Sequence, residues 1–218
     1  MRNANVSRWA MGLALAAFMV YAPYLYYRCS LEHAKRLRPV VEGRVYRSGL
    51  MTSTGFRDAI QRHHIKTVIN FMEEAPDPDL RGGRFNRSVT KESELCAYLG
   101  VDFKFVYLKT VAENRVGKDQ PGGIDEFLKI MDDENAYPVL FHCKAGLHRT
   151  GAMAAVYRME YQGWSPEDAM RELKSHGFGH YVANTTNELC LQYVLLYKPR
   201  GSAAEPAPVT GTLTSRQK

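Results

Sequence analysis

The sequence predicts an α/β fold in which helices cover both faces of a central, mostly parallel sheet, preceded by one transmembrane helix. Three observations lead to this prediction. Short apolar runs rich in β-branched residues alternate with helical patterns over residues 43–198. An uncharged run of 19 residues, 9–27, precedes them and is long enough to cross a bilayer. The total of 218 residues suits one domain with short extensions.

The predicted strands and helices alternate as they do in a parallel sheet with helical crossovers. Strands are predicted at 43–47, 67–71, 101–108 and 138–142, of which 67–71 has the composition of a buried strand. Helices are predicted at 54–64, 91–99, 121–133, 149–162, 165–175 and 187–197. The helix at 165–175 has the clearest start, because Ser165 can cap it and Pro166 suits its first turn. Long polar loops are expected at 73–87 and 109–120.

The N-terminal segment divides into a short basic start, 1–8, a membrane anchor, 9–27, and a basic linker, 28–42. Four tyrosines gather at the far end of the apolar run, where aromatic rings favour the headgroup zone. More basic residues follow the run than precede it, which favours a cytoplasmic position for the domain. A cleaved signal peptide is the alternative, although Pro23 disfavours cleavage after Ala22.

Composition excludes some classes of protein. The net charge of +6 and the pI near 9.1 suit an anionic substrate or membrane surface, but no nucleic-acid-binding motif is present. The four cysteines are dispersed without a C-x-x-C pair, so neither a zinc site nor a disulfide framework is expected. We predict no metal and no cofactor. The last segment, 199–218, is rich in Pro, Ala, Ser and Thr and is expected to be disordered.

One motif carries most of the chemical information. The predicted strand 138–142 runs into His142-Cys143-Lys144-Ala145-Gly146-Leu147-His148-Arg149-Thr150-Gly151, where a helix begins. A loop between a strand and a helix N-terminus directs several backbone N–H groups at one point, and together with the helix dipole they form an anion site. Lys144, Ala145, Gly146, Leu147, His148 and Arg149 are predicted to bind a phosphate group.

Two residues of this motif are the predicted catalytic groups. Arg149, six residues after Cys143, can form a bidentate clamp on two phosphate oxygens. The positive potential favours the thiolate of Cys143, which is then placed for in-line attack on phosphorus and a phosphocysteine intermediate. His142 and Thr150 are the predicted supporting residues, and Thr150 can hydrogen-bond the sulfur.

The stretch His142 to Gly151 resembles the phosphate loop of the protein tyrosine and dual-specificity phosphatase superfamily. The likeness extends to three further segments, Val45–Gly49, Thr67–Phe71 and Gly163–Ala169, which are similar to the compact, atypical dual-specificity group. It covers about residues 43–197. The resemblance implies the phosphatase α/β fold, a metal-free hydrolase of phosphate monoesters, and a phosphorylated protein substrate.

The resemblance also implies a general acid on a mobile loop, and here the sequence leaves two candidates. The Trp-Pro-Asp form of that loop is missing. Asp119 has the expected residue type, whereas Glu113 lies at a more usual distance from the cysteine. Asp119 is the predicted acid.

Alternative functions remain open at this point. Lys144 is also seen in phosphoinositide phosphatases, but Leu147 stands where those enzymes have a further lysine, and His148 resembles the branch that acts on inositol pyrophosphates. A phosphoinositide or inositol (pyro)phosphate is therefore the alternative substrate. A membrane-tethered phosphate-binding module without turnover is the alternative of another class, and a sulfur-transfer or arsenate-reducing enzyme is disfavoured by the Arg149-Thr150-Gly151 ending.

Overall fold

The computed structural model describes residues 2–27, 33–83, 86–108, 122–178 and 185–201, with side chains left out for 2–6 and 185–189. Its strands are β1 (Arg38–Val41), β2 (Val45–Gly49), β3 (Thr67–Asn70), β4 (Asp79–Arg81), β5 (Val89–Lys91), β6 (Asp102–Phe105) and β7 (Val139–Cys143). Its helices are α1 (Arg2–Tyr27), α2 (Ser53–His63), α3 (Glu92–Tyr98), α4 (Ile124–Met131), α5 (His148–Gln162), α6 (Pro166–Ser175) and α7 (Thr185–Leu195).

A five-stranded sheet in the order β1-β2-β7-β3-β6 forms the centre of the fold. Strand β7 pairs in parallel with β2 on one side and β3 on the other, and β3 pairs in parallel with β6. Only the edge strand β1 is antiparallel to its neighbour. This confirms the predicted α/β class with a mostly parallel sheet, and it places the chemical motif at the end of the central strand.

Two apolar clusters fill the spaces on the two faces of the sheet. One cluster joins the sheet to α4, α5, α6 and α7, with Phe127 and Met153 fully buried. The other joins the opposite face to α2 and α3, with Phe56 and Leu95 at its centre. Helices on both faces are therefore confirmed. A strand that is buried on both faces has apolar residues at consecutive positions. For this reason β3 and β7 could be recognised in the sequence.

The segment predicted as a linker, 28–42, becomes part of the domain from residue 33 onward. Strand β1 extends the sheet, and residues 33–37 lie against α2 and the β2 end. The strand was not predicted from the sequence because it contains Pro39, and proline within a run argues against a strand unless the strand lies at a sheet edge. The predicted loop 73–87 likewise contains β4, which forms a small antiparallel pair with β5.

Helix α1 includes the predicted anchor. Its segment Ser7–Tyr27 is long and apolar enough to cross a membrane, with a mean hydropathy of 1.4 and no residue of that window buried in the protein. A signal sequence passes the same test of length and composition. At the other end of the chain, Arg200 is bound to the domain, although it falls within the tail predicted at 199–218. Residues 202–218 lie outside the described part.

Candidate active site

The chemical motif lies where β7 ends and α5 begins. Cys143 is the last residue of β7 and is buried, and Arg149 is the second residue of α5. The parallel register places Gly49, the end of β2, beside Cys143. Cys143, Lys144, Ala145, His148 and Arg149 line one cavity of about 170 Å³ together with Glu74. The structure therefore brings Cys143 and Arg149, the two predicted catalytic residues of the motif, together at one site.

The loop between them curls tightly against β2. Gly146 has a φ of +72°, and a Cβ on this residue would lie 2.5 Å from the backbone nitrogen of Gly49. The backbone N–H of Leu50 donates to the carbonyl of Lys144 at 3.1 Å, so this carbonyl faces away from the cavity toward β2. Glycine is required at position 146 both for the left-handed conformation and for the close approach.

Arg149 is held by two carboxylates that follow β3. Its Nη2 lies 3.4 Å from Oε2 of Glu73, and its Nη1 lies 3.2 Å from Oε2 of Glu74. Burial lowers the pKa of Arg149, but the hydrogen bond with Glu74 and the charges of Glu73, Glu74 and Cys143 outweigh it and raise that pKa. Its buried Nε has no hydrogen-bond partner among the described residues. The guanidinium is thus permanently charged. Of its five N–H bonds, the Nε–H and those that do not face the two carboxylates remain for further acceptors.

A buried polar network supports the strand end on the other side of Cys143. Nε2 of His142 lies 2.6 Å from Oε1 of Glu92, and both side chains are fully buried. Asn70 donates to the second carboxylate oxygen of Glu92 at 3.1 Å. Nδ1 of His142 lies 3.4 Å from the carbonyl of Cys143. The edge of the His142 ring is packed against Phe56, with ring centroids 5.2 Å apart. These contacts fix the ring beside the backbone of Cys143.

The remaining predicted site residues occupy the loop and the first turn of α5. Lys144 is exposed, whereas Gly146 and Leu147 are buried. Burial, and then the charge of Arg149, lower the pKa of His148, so the ring is neutral near pH 7. The Thr150 hydroxyl donates to the carbonyl of Ser48 at 3.5 Å. Its predicted hydrogen bond to the sulfur remains a prediction.

Both candidates for the general acid, Asp119 and Glu113, lie outside the described residues. Among the residues that are described, no group of three or more His, Cys, Asp or Glu side chains is arranged to hold a metal ion.

Sequence reasoning missed Glu92, Asn70 and the pair Glu73–Glu74. Glu92 follows a polar hairpin strand and opens a helix, where an acidic residue is common for dipole reasons alone, so its burial left no local signal. Asn70 gave a usable signal, since an amide within a fully buried strand requires partners.

Comparisons with known proteins agree with this geometry. Residues 32–188 match the family described as "DSP-PTPase phosphatase fused to NAD+ Kinase". The chain is 33% identical over 136 residues to the dual specificity protein phosphatase TpbA of Pseudomonas aeruginosa strain UCBPP-PA14, an alignment that covers 62% of this chain and 52% of the relative. The chain thus spans about half the length of the curated relatives it matches.

Two solved structures share the fold. The crystal structure of P. aeruginosa TpbA has a TM-score of 0.52 and 24% identity, covering 78% of this chain and 92% of that one. The core catalytic domain of the PP-IP phosphatase SIW14 from S. cerevisiae has a TM-score of 0.55 and 20% identity, covering 78% and 89%.

Proposed function

The chain belongs to the family of DSP-PTPase phosphatases fused to NAD+ kinase, and on this premise we propose that it hydrolyses phosphate monoesters with Cys143 as the nucleophile. The observation that carries the proposal is the shared cavity of Cys143 and Arg149, with the thiol at the end of a central strand and the guanidinium in the first helical turn. A phosphate group held by the loop amides and by Arg149 lies with its phosphorus next to the sulfur.

The first half of the proposed reaction transfers the phosphoryl group to the enzyme. The thiolate of Cys143 attacks phosphorus, an S–P bond forms, and the P–O bond to the leaving group breaks. The leaving oxygen takes a proton from the general acid, for which we propose Asp119. Arg149 spans two equatorial oxygens and stabilises the charge that develops on them.

The second half returns the enzyme to its starting state. Water attacks the phosphorus of the phosphocysteine, and the S–P bond breaks to release the thiolate and inorganic phosphate. The carboxylate of Asp119, deprotonated in the first step, accepts the proton of that water. A thiolate is an adequate leaving group in the potential of the helix N-terminus. We propose that Thr150 assists by turning its single hydroxyl proton from the Ser48 carbonyl to the sulfur.

We propose a phosphorylated protein as the substrate. The dual-specificity relatives favour this choice, and so do the two carboxylates beside Arg149, since they repel ligands that carry many phosphates. A phosphoinositide or an inositol pyrophosphate is the competing substrate. The full chain in detergent would be assayed on a phosphotyrosine peptide, a phosphoinositide, an inositol pyrophosphate and an aryl phosphate.

We expect the unchanged protein to release phosphate fastest from the phosphotyrosine peptide. We expect the Cys143→Ser variant to release no phosphate. Preference for an inositol substrate would overturn the substrate but not the mechanism. Retention of turnover in Cys143→Ser would overturn the mechanism. Absence of turnover on all four compounds, with vanadate binding intact, would leave the tethered binding module as the function.

We also propose that Ser7–Tyr27 anchors the chain in a membrane with the catalytic domain on the cytoplasmic side. The apolar length supports the anchor, and the larger number of basic residues after it supports the orientation. Retention of the protein in the membrane pellet after alkaline carbonate extraction would support the anchor. Digestion by protease only in opened cells would support the cytoplasmic orientation. A mature N-terminus beginning near Pro23 would show a cleaved signal peptide instead.

A further inference from the structure

Two guanidinium groups contact the phosphate loop from its outer side, since neither belongs to the residues that line the cavity. Nη1 of Arg36 donates to the carbonyl of Ala145 at 2.9 Å. Nη2 of Arg47 donates to the next carbonyl, that of Gly146, at 3.3 Å. These are consecutive peptide groups in the part of the loop where the chain curls most tightly.

The orientation of each peptide group follows from these contacts. In a trans peptide the carbonyl and the N–H of the next residue point in opposite directions. A carbonyl of Ala145 held outward therefore turns the N–H of Gly146 toward the cavity, and a carbonyl of Gly146 held outward does the same for the N–H of Leu147. The two arginines thus fix the direction of two N–H groups that a bound phosphate needs.

Burial of the Arg47 guanidinium has an electrostatic cost, which the charge of Glu172 offsets only in part. Arg47 is 2% exposed, and its Nε has no hydrogen-bond partner among the described residues. Its Nη2 also lies 3.3 Å from the position that a Cβ on Gly151 would take, so the guanidinium sits between the loop and the first turns of α5. A buried arginine with an unpartnered Nε is unusual in a core strand and requires a reason beyond packing.

Arg36 reaches the loop from the segment that follows α1. Lys35 and Arg36 both have positive φ angles, 39° and 62°, which non-glycine residues seldom adopt. The carbonyl of Lys35 accepts from the N–H of Gly49 at 2.7 Å, and His33 pairs with Asp58 of α2 at 2.9 Å. After Arg36, strand β1 pairs with β2 from Arg38 onward. The segment is thus attached on both sides of Arg36, in a backbone conformation that directs the side chain to the loop.

We propose that Arg36 and Arg47 are positioning residues of the phosphate loop, holding two successive peptide groups with their N–H bonds toward the substrate phosphate. The inference deepens the proposed function and depends on it. If Arg36 has this role, the segment between α1 and β1 helps to hold the phosphate loop in its binding conformation.

The test measures binding of orthovanadate, a phosphate mimic, to the full chain in detergent by titration calorimetry, beside kcat/KM on the aryl phosphate. Arg36→Ala and Arg47→Met each remove one outer hydrogen bond from a charged donor. We expect each to weaken vanadate binding and to lower kcat/KM by about tenfold or more. Arg36→Lys, which keeps one charged donor, should recover most of the affinity. Added guanidinium at millimolar concentration should partly rescue Arg36→Ala.

Arg57→Gln on the exposed side of α2 is the matched control, since it removes the same unit charge without touching the loop. We expect it to stay within about twofold of the unchanged protein. Vanadate binding by Arg36→Ala and Arg47→Met equal to that of the control would overturn the positioning role alone. A failure of the unchanged protein both to bind vanadate and to turn over would overturn the proposed function itself.

Discussion

At the scale of single residues, the buried contact between His142 and Glu92 makes the clearest prediction. Glu92→Gln keeps the shape and one acceptor oxygen but removes the charge opposite the ring. We expect the free energy of unfolding to fall by about 1–3 kcal/mol, because a buried charged hydrogen bond becomes a neutral one. The ring also borders the Cys143 carbonyl, so kcat/KM should fall as well.

Chemical denaturation and steady-state kinetics of the same preparations would check this expectation. Glu94→Gln, two residues further on the exposed side of α3, is the control and should remain within about 0.5 kcal/mol. Equal stability of the two variants would show that Glu92 is not a charged partner of His142.

Arg47 makes a second prediction, in which stability and function change in opposite directions. Burial, and then the charge of Arg38, lower the pKa of Arg47 to about 10. A folded-state pKa below the unfolded one means that the charged form costs stability at every pH below about 10. The cost disappears as the pH rises from about 10 toward the ordinary pKa of an arginine. Arg47→Met removes the charge and keeps most of the volume.

We therefore expect Arg47→Met to raise the melting temperature at pH 7 while it weakens vanadate binding. Differential scanning calorimetry provides the measurement. A variant that is less stable than the unchanged protein would mean that the hydrogen bond to Gly146 outweighs the cost of burying the charge.

The sequence located some site residues and missed others for identifiable reasons. Cys143 and Arg149 were found because their spacing and their strand-to-helix context occur together within one short segment. Arg36 and Arg47 act through carbonyls of the loop, and Glu92 acts through His142, so their partners are roughly 50 to 110 residues away in the chain. Sequence patterns within a short window cannot predict contacts between residues so far apart in the chain.

At the scale of secondary-structure elements, the close approach of the phosphate loop to β2 can be tested with one methyl group. On Gly146→Ala the new Cβ would meet the Gly49 nitrogen at 2.5 Å and the Ser48 carbonyl oxygen at 2.7 Å, both of them backbone atoms. Neither strand nor loop can move without changing the cavity. We expect a loss of at least about 2 kcal/mol in stability and loss of turnover.

Gly163→Ala is the control that separates the cost of the left-handed backbone conformation from the cost of crowding against β2. Gly163 ends α5 with a φ of +66°, and a Cβ there meets nothing within 4 Å. It should cost about 1 kcal/mol for the left-handed conformation alone and leave turnover unchanged. Equal effects of the two substitutions on stability and on kcat/KM would show that crowding against β2 is unimportant.

The elements that the sequence predicted best are those with a strong local pattern. Helix α6 has a Ser cap and a proline at its start, and it begins within one residue of the prediction. Strands β4 and β5 have three residues each, too few for a period to be recognised. Strand β1 depends on its pairing with β2 rather than on its own composition.

At the scale of the whole molecule, Arg200 binds the C-terminal end of the domain to two earlier helices. Arg200 contacts both oxygens of Asp132, at 2.6 and 2.8 Å, and Oε1 of Glu160 at 2.5 Å. Glu160 also accepts from the hydroxyl of Tyr197. These contacts join the segment after α7 to α4 and α5, so the packed domain extends to Arg200 rather than ending at 198.

This closure predicts a stability difference that depends on pH. Hydrogen bonds from Arg200 and from Tyr161 lower the pKa of Asp132 to about 2, from an ordinary value of 3.8. A carboxyl with a depressed pKa contributes stability that is fully present above about 3.8 and is lost as pH falls through about 2. Arg200→Ala should therefore cost about 1 kcal/mol near neutral pH, a modest value because Asp132 is 44% exposed and the pair is screened by solvent.

The measurement is the melting temperature of both proteins between pH 7 and pH 3. We expect a deficit of roughly 2–4 °C that is constant down to about pH 5 and narrows below pH 4. It narrows because the unfolded chain protonates Asp132 near pH 3.8, whereas the folded unchanged protein does so only near pH 2. Arg171→Ala removes an exposed ion pair within α6, with Asp168 at 2.8 Å, and should change the melting temperature far less. A deficit that does not narrow in acid would assign the stabilisation to packing of the Arg200 side chain instead of its charge, because packing does not respond to the protonation of Asp132.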